Sequence, residues 1–198
     1  TTAKFVTTLG VMTNNRFHFG VGVSPWYEDF LATGERWEKR GKRMDEQIDI
    51  LKGLMNGEYF SFKGEFYDIP ELKLCPVPTK PVPILIGGHS KLALKRAARV
   101  GDGWISAGLS LEETKNLIDQ INIYRDEFGT LDHPNYQFQV MGEAAYSPQG
   151  IKQLEELGAT EVIVAFRNTY EGGSDERTLD GMKAEIDWYA EEVINKSK

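Results

Sequence analysis

Residues 87–90, Gly-Gly-His-Ser, combine residue types and spacing that could do chemistry. They follow the apolar run Ile84-Leu85-Ile86 and precede an amphipathic stretch over 91–99. A buried strand turning into a helix there exposes unpaired backbone N–H groups and the positive end of a helix dipole, which suits an anion. Glycine at 87 and 88 lets a phosphate approach the backbone with no Cβ in the way. On spacing alone, the same residues could be only a tight strand-to-helix turn with Ser90 as its N-cap. His89 would either contact a ligand or stand exposed.

A second group surrounds residues 16–26. Phe17, Phe19, Val21 and Val23 alternate with His18, Gly20 and Gly22, giving a strand with one bulky and one nearly bare face. The bare face either leaves room for a flat ring or relieves crowding against a neighbouring strand. Ser24 and Trp26, with Gly22, are candidates for lining a substrate pocket; Trp26 could equally anchor the loop. His18 stands at the strand's start and reads as structural.

Other chemistries find no support. His18, His89 and His133 fall on separate elements, so no metal site is expected. Cys75 is the single cysteine; it can form no internal disulfide and, between Leu74 and Pro76, reads as a packing residue. There is no glycine-rich loop ending in Lys-Ser/Thr, which argues against nucleoside triphosphate hydrolysis. No side chain is assigned as catalytic.

The elements that must position these residues follow from periodicity. Phe5, Val6, Leu9 and Met12 predict a helix over 3–13. The strand at 16–23 comes next, then a loop containing Ser24-Pro25-Trp26. Trp37, Met44, Ile48, Leu51 and Met55 predict a long helix over 35–56, with Arg36, Arg40 and Arg43 on solvated faces. A hairpin over 58–68 turns at Lys63-Gly64, so residues 35–70 form an inserted helix and hairpin. The rest alternates: strand 84–86, helix 91–99, strand 103–106, helix 111–128, strand 136–141, helix 150–157, strand 161–166 and helix 176–195. Arg167, just past the last strand, reads as an ordinary exposed arginine.

Alternating strands and helices call for a parallel sheet with helical crossovers, either an open sheet or part of a (β/α)₈ barrel. The chain has 198 residues, 40% of them hydrophobic, and a net charge of −7. Length favours one domain over 1–198. The acidic balance without a basic block argues against nucleic acid or an anionic membrane as partner. With no signal peptide in view, the compartment expected is cytoplasmic.

Several motifs, in the same order, resemble the luciferase-like monooxygenase family with its deazaflavin (coenzyme F420) and FMN enzymes. They are Asn14-Asn15-Arg16-Phe17-His18-Phe19-Gly20-Val21-Gly22-Val23, then Arg40-Gly41-Lys42-Arg43-Met44-Asp45-Glu46, then Phe62-Lys63-Gly64-Glu65-Phe66-Tyr67. Pro81-Val82-Pro83-Ile84-Leu85-Ile86-Gly87-Gly88-His89-Ser90 and Arg96-Ala97-Ala98-Arg99-Val100-Gly101-Asp102-Gly103-Trp104 complete the set. The match is well spaced from near residue 3 to 107 and persists as pattern to about 170.

The resemblance implies a TIM barrel of the luciferase-like type, of which this chain covers roughly strands 4 to 8. It implies an oxidoreductase that transfers a hydride between F420 and a small organic substrate, with a cofactor phosphate against Gly87, Gly88, His89 and Ser90. An FMN-dependent monooxygenase is the alternative; a non-catalytic flavin-binding protein and a phosphosugar-binding barrel enzyme without a redox cofactor are further readings. Val23 stands where some sugar-phosphate-oxidising members carry a carboxylate, which argues against that acid role here. The family's first βα units are not in this chain, which begins Thr1-Thr2-Ala3. Five strands leave sheet edges that a missing N-terminal segment or a second copy, as in a homodimer, would cover.

Overall fold

The structure is a computed structural model and describes residues 1–167 and 176–197. It divides into two compact units, Thr1–Gly103 and Trp104–Lys198, each taken by itself.

The first unit opens with α1 (Thr2–Met12), which ends where Asn14 and Asn15 take positive φ, followed by β1 (Phe19–Val21). Next come α2 (Tyr27–Thr33) and α3 (Arg40–Met55), then the antiparallel pair β2 (Phe60–Lys63) and β3 (Asp68–Leu72). After them β4 (Ile84–Gly87) lies parallel to β1, with Phe19 opposite Ile84 and Val21 opposite Ile86, and α4 (Lys91–Val100) follows.

The β4 run is apolar because all of it is inside. Ile84, Leu85 and Ile86 are at most 1% exposed, and each such side chain contributes about 1.5–3 kcal/mol of burial. Asp102 fixes the start of β4 twice: its N–H donates to the Ile84 carbonyl, and its Oδ2 accepts from the Ile84 N–H, both at 2.8 Å. Helix α3 buries Met44, Ile48, Leu51 and Met55, the stripe expected from their spacing. Its outer face also holds structure together. The Glu46 carboxylate accepts from the N–H groups of Glu65, Phe66 and Tyr67, closing the hairpin turn. Asp45 accepts from the buried Arg96 of α4 at 2.7 Å, and Arg96 also donates to the Gly41 carbonyl at 3.0 Å.

The second unit starts within β5 (Gly103–Ile105), whose Trp104 is fully buried. Helix α5 (Leu111–Glu127) starts at a capping box of Ser110 and Glu113. Strand β6 (Gln137–Met141), helix α6 (Pro148–Glu156), strand β7 (Glu161–Ile163) and helix α7 (Leu179–Tyr189) complete it. β6 and β7 pair in parallel, and Ser106 beyond β5 donates its N–H to Gln139 of β6. Val140, Ala145 and Leu154 form one cluster of its core, which also buries Trp104, Ile121 and Phe138. Tyr189 donates its hydroxyl to the Ala145 carbonyl, and burial pushes its phenol above the usual range.

Several expectations change. The strand expected over 16–23 is hydrogen-bonded only over Phe19–Val21, because side-chain alternation reports facing, whereas the ladder starts where Phe19 N–H meets the Pro83 carbonyl. The loop after it contains α2. The helix expected from 35 begins at Arg40. The strand expected to reach 166 ends at Ile163. Arg40 and Arg43 are not on solvated faces: Arg40 lies over the Trp37 ring at 3.5 Å, and the Arg43 side chain, 13% exposed, pairs with Glu35. Cys75 is exposed rather than packed, since Leu74 takes the inward position beside it. Arg167 is exposed, as expected. Among the described residues no helix is long and apolar enough to cross a membrane.

Candidate functional site

The glycine turn is built as its residue types require. Gly87 closes β4, and Gly88 takes φ +118°, a conformation that side chains rarely adopt; a Cβ there would come within 3.0 Å of the Ala93 Cβ. Ser90 is extended, and its hydroxyl accepts the Ala93 N–H at 3.3 Å, capping α4. No acidic residue stands in the first turn of α4. Gly87, Gly88, His89 and Ser90 therefore sit together at the C-terminal end of a buried strand, with Gly88, His89 and Ser90 exposed. A Cβ on Gly87 would meet only the Val21 carbonyl oxygen, at 3.7 Å. The donor set and the bare backbone fit an anionic group such as a phosphate.

Gly22 is brought beside this turn. The β1–β4 register ends with Val21 opposite Ile86, and just past it a Cβ on Gly22 would lie 3.5 Å from the Gly87 carbonyl oxygen. Gly22, Val23 and Ser24 border a cavity of about 320 Å³ at the C-terminal end of β1. The Ser24 hydroxyl donates to the Asp29 carboxylate and also accepts the Trp26 N–H at 3.1 Å, which organises the loop into α2. Trp26 itself is 49% exposed, precedes α2 and does not border the cavity. His18 lies at the other end of the strand, outside this group.

Residues that sequence reasoning did not assign to a site join the wall, among them Phe30 from α2 and Arg40, Arg43 and Met44 from α3, with the polar Asp29, Thr33, Glu35 and Gln47 beside them. The arginines were legible only as members of a charged helix face. The signal that could have separated them is Trp37, three residues before Arg40, which offers a ring for the guanidinium.

A larger apolar cleft of about 550 Å³ is bordered by α1, α3 and the hairpin region, with Phe19 and Val21 at its edge. Size alone would favour it as a binding site. The smaller cavity is the better candidate, because it opens at the strand end where the glycine turn lies and where parallel α/β barrels carry their chemistry. Among the described residues no group of His, Cys, Asp and Glu could hold a metal ion.

The family model described as luciferase-like monooxygenase matches residues 1–149, and the chain belongs to that family. An uncharacterized protein of Mycobacterium tuberculosis is 43% identical over 194 residues, covering 98% of this chain and 66% of its own. This chain thus spans about two thirds of that relative's length. An FMNH2-dependent dimethylsulfone monooxygenase of Pseudomonas fluorescens is 36% identical over 123 residues, 60% of this chain and 34% of its own. The solved coenzyme F420 dependent tetrahydromethanopterin reductase of Methanopyrus kandleri superposes with a TM-score of 0.73 at 14% identity, covering all of this chain and 79% of that one. The fold is therefore the α/β fold, with parallel strands, of the luciferase-like (β/α)₈ barrels.

Proposed function

We propose that the full-length protein is an oxidoreductase that transfers a hydride between coenzyme F420 and a small organic substrate. The observation that carries this reading is the positive-φ glycine turn at Gly88, set beside Gly22 and the cavity at the end of β1. When bound, F420 supplies the redox chemistry. This chain's residues supply binding and position. Backbone N–H groups at the start of α4 hold a phosphate beside Gly87, Gly88 and Ser90, with His89 at the edge of that contact. The bare edge at Gly22 leaves space for a flat ring, and the cavity walled by Ser24, Phe30 and Met44 takes the substrate. Close positioning of reactants matters more to such a transfer than an ionised side chain does.

The second reading is an FMN-dependent monooxygenase, favoured by the 36% identity to the FMNH2-dependent dimethylsulfone monooxygenase. The same turn would hold the FMN phosphate. Titrating the full-length protein with F420 and with FMN, and following the absorbance of the bound species, separates the two. F420 bound in preference to FMN, with label passing from labelled reduced F420 into product in a single turnover, is the expected result. FMN bound in preference gives the second reading, and retention of neither overturns both.

A further inference from the structure

The Arg40 guanidinium stands on the cavity wall without an ion-pair partner among the described residues. It lies over the Trp37 ring, 3.5 Å from the centroid. Trp37 is held in turn by edge contacts with Tyr27 at 5.7 Å and Phe30 at 5.1 Å, so the guanidinium rests on a fixed platform. Its Nε is buried with no hydrogen-bond partner. No described residue pairs with or accepts from this guanidinium, although Arg40 borders the cavity.

The other charges around the same cavity are engaged. Arg43 pairs with Glu35 at 3.3 Å and donates to the Arg36 carbonyl at 2.8 Å. Asp29 accepts the Ser24 hydroxyl. Once Glu35 is matched to Arg43, Arg40 remains as the cation with donors to spare, and Asp29, held by a neutral hydroxyl, keeps its negative charge on the same wall. A guanidinium partly withdrawn from water and lacking an acceptor is unfavourable, and an anion beside it recovers the loss. The rest of the wall is mixed: Val21, Val23, Phe30 and Met44 give it an apolar side, and Thr33 and Gln47 are its uncharged polar members.

We propose that this cavity recognises an organic carboxylate, with the carboxylate on Arg40 and an apolar body against Phe30 and Met44. The planar fork of a guanidinium matches a carboxylate with two parallel hydrogen bonds. The cavity, near 320 Å³, lies at the small end of the ligand-pocket range, which sets a compact acid. The assignment names the substrate class for the pocket described above and rests on reading that cavity as the substrate site.

The test uses benzoate, benzyl alcohol and benzenesulfonate as probes on the cofactor-free full-length protein, with affinity read by calorimetry. Benzoate binds more tightly than benzyl alcohol, and its affinity falls as acid protonates it. Arg40→Gln weakens benzoate by about ten- to a hundredfold, the scale of a lost charge-assisted pair, and leaves benzyl alcohol unchanged. Arg40→Lys, which keeps the charge and loses the fork, falls between. Equal binding of benzoate and benzyl alcohol, tighter binding of benzenesulfonate, or no binding of any probe to the wild-type protein overturns the proposal. The wild-type comparison and its pH dependence decide the matter even if the Arg40 variants fail to fold. Because no cofactor is present, failure here is distinct from failure of the redox assignment, which shows as absence of bound F420 and FMN.

Discussion

Gly22 and Gly88 stand just past the ends of two neighbouring parallel strands, yet the structure asks different things of them. Gly88 follows β4, whose apolar residues are almost wholly buried, and its φ of +118° excludes ordinary side chains. Gly22 follows β1, whose residues are only partly buried, and its φ lies outside the positive range. A methyl group there would make an ordinary contact with the Gly87 carbonyl oxygen. One glycine is demanded by the backbone. The other is demanded, if at all, by whatever occupies the space in front of it. The comparison separates a strand end fixed by the core from one left open for a ligand.

The strongest way to break the comparison is to weaken the rigid strand. Ile86→Ala removes a fully buried side chain from β4 and should destabilise the protein by about 2–5 kcal/mol. Val21→Ala, opposite it on β1 and only half-buried, should cost markedly less. Chemical denaturation of both variants measures the difference; equal losses would mean that the two strands carry the core alike.

Next comes the turn itself. Gly88→Val forces a branched side chain into a positive-φ position and toward the Ala93 Cβ. A folded variant should bind its cofactor more weakly by about 1–3 kcal/mol, one to two decades in affinity. Undiminished binding, read from the absorbance of the bound cofactor, would remove the turn from the site. Asp102→Ala should cost about 1–3 kcal/mol of stability, because it leaves the Ile84 N–H without the carboxylate it donates to. Cofactor affinity should change little in that variant, since Asp102 acts at the far end of β4; a loss as large as that of Gly88→Val would show that the strand end is not independently fixed.

What could be read from the sequence divides along the same line. The β4 unit was legible throughout: the Ile84-Leu85-Ile86 run, the glycine pair, Ser90 as N-cap and the helix from 91 all stand where pattern placed them. Each leaves a local mark, as unbroken apolarity, a residue free of Cβ or a capping hydroxyl. The β1 side was legible only in part. Helix α2 escapes the periodicity reading because it is only seven residues long and buries none of them; its marks are Tyr27, Phe30 and Leu31 at helical spacing, Glu28 and Asp29 in the first turn and Gly34, left-handed, after the last. Arg40 and Arg43 were placed in solvent because periodicity records which face a residue is on, and cannot show that Trp37 and Glu35 fold over that face. Gly22 and Ser24 stand past the strand end where alternation puts them and border the cavity; the wall from α2 and α3 depends on contacts between elements and leaves no local mark.

The smallest expected effect sharpens the comparison most. Gly22→Ala adds one methyl group at a position with room for it and with no positive φ to strain, so stability should stay within about 0.5 kcal/mol of the wild type. If the bare edge of β1 only relieved crowding between strands, nothing else would change. If it makes room for a ring or a substrate, that methyl group intrudes on the ligand and not on the protein. The variant should then keep its denaturation midpoint while losing affinity for cofactor or substrate. Loss of stability would return Gly22 to the packing of β1 against β4; unchanged stability with unchanged binding would move the ligand away from this strand end.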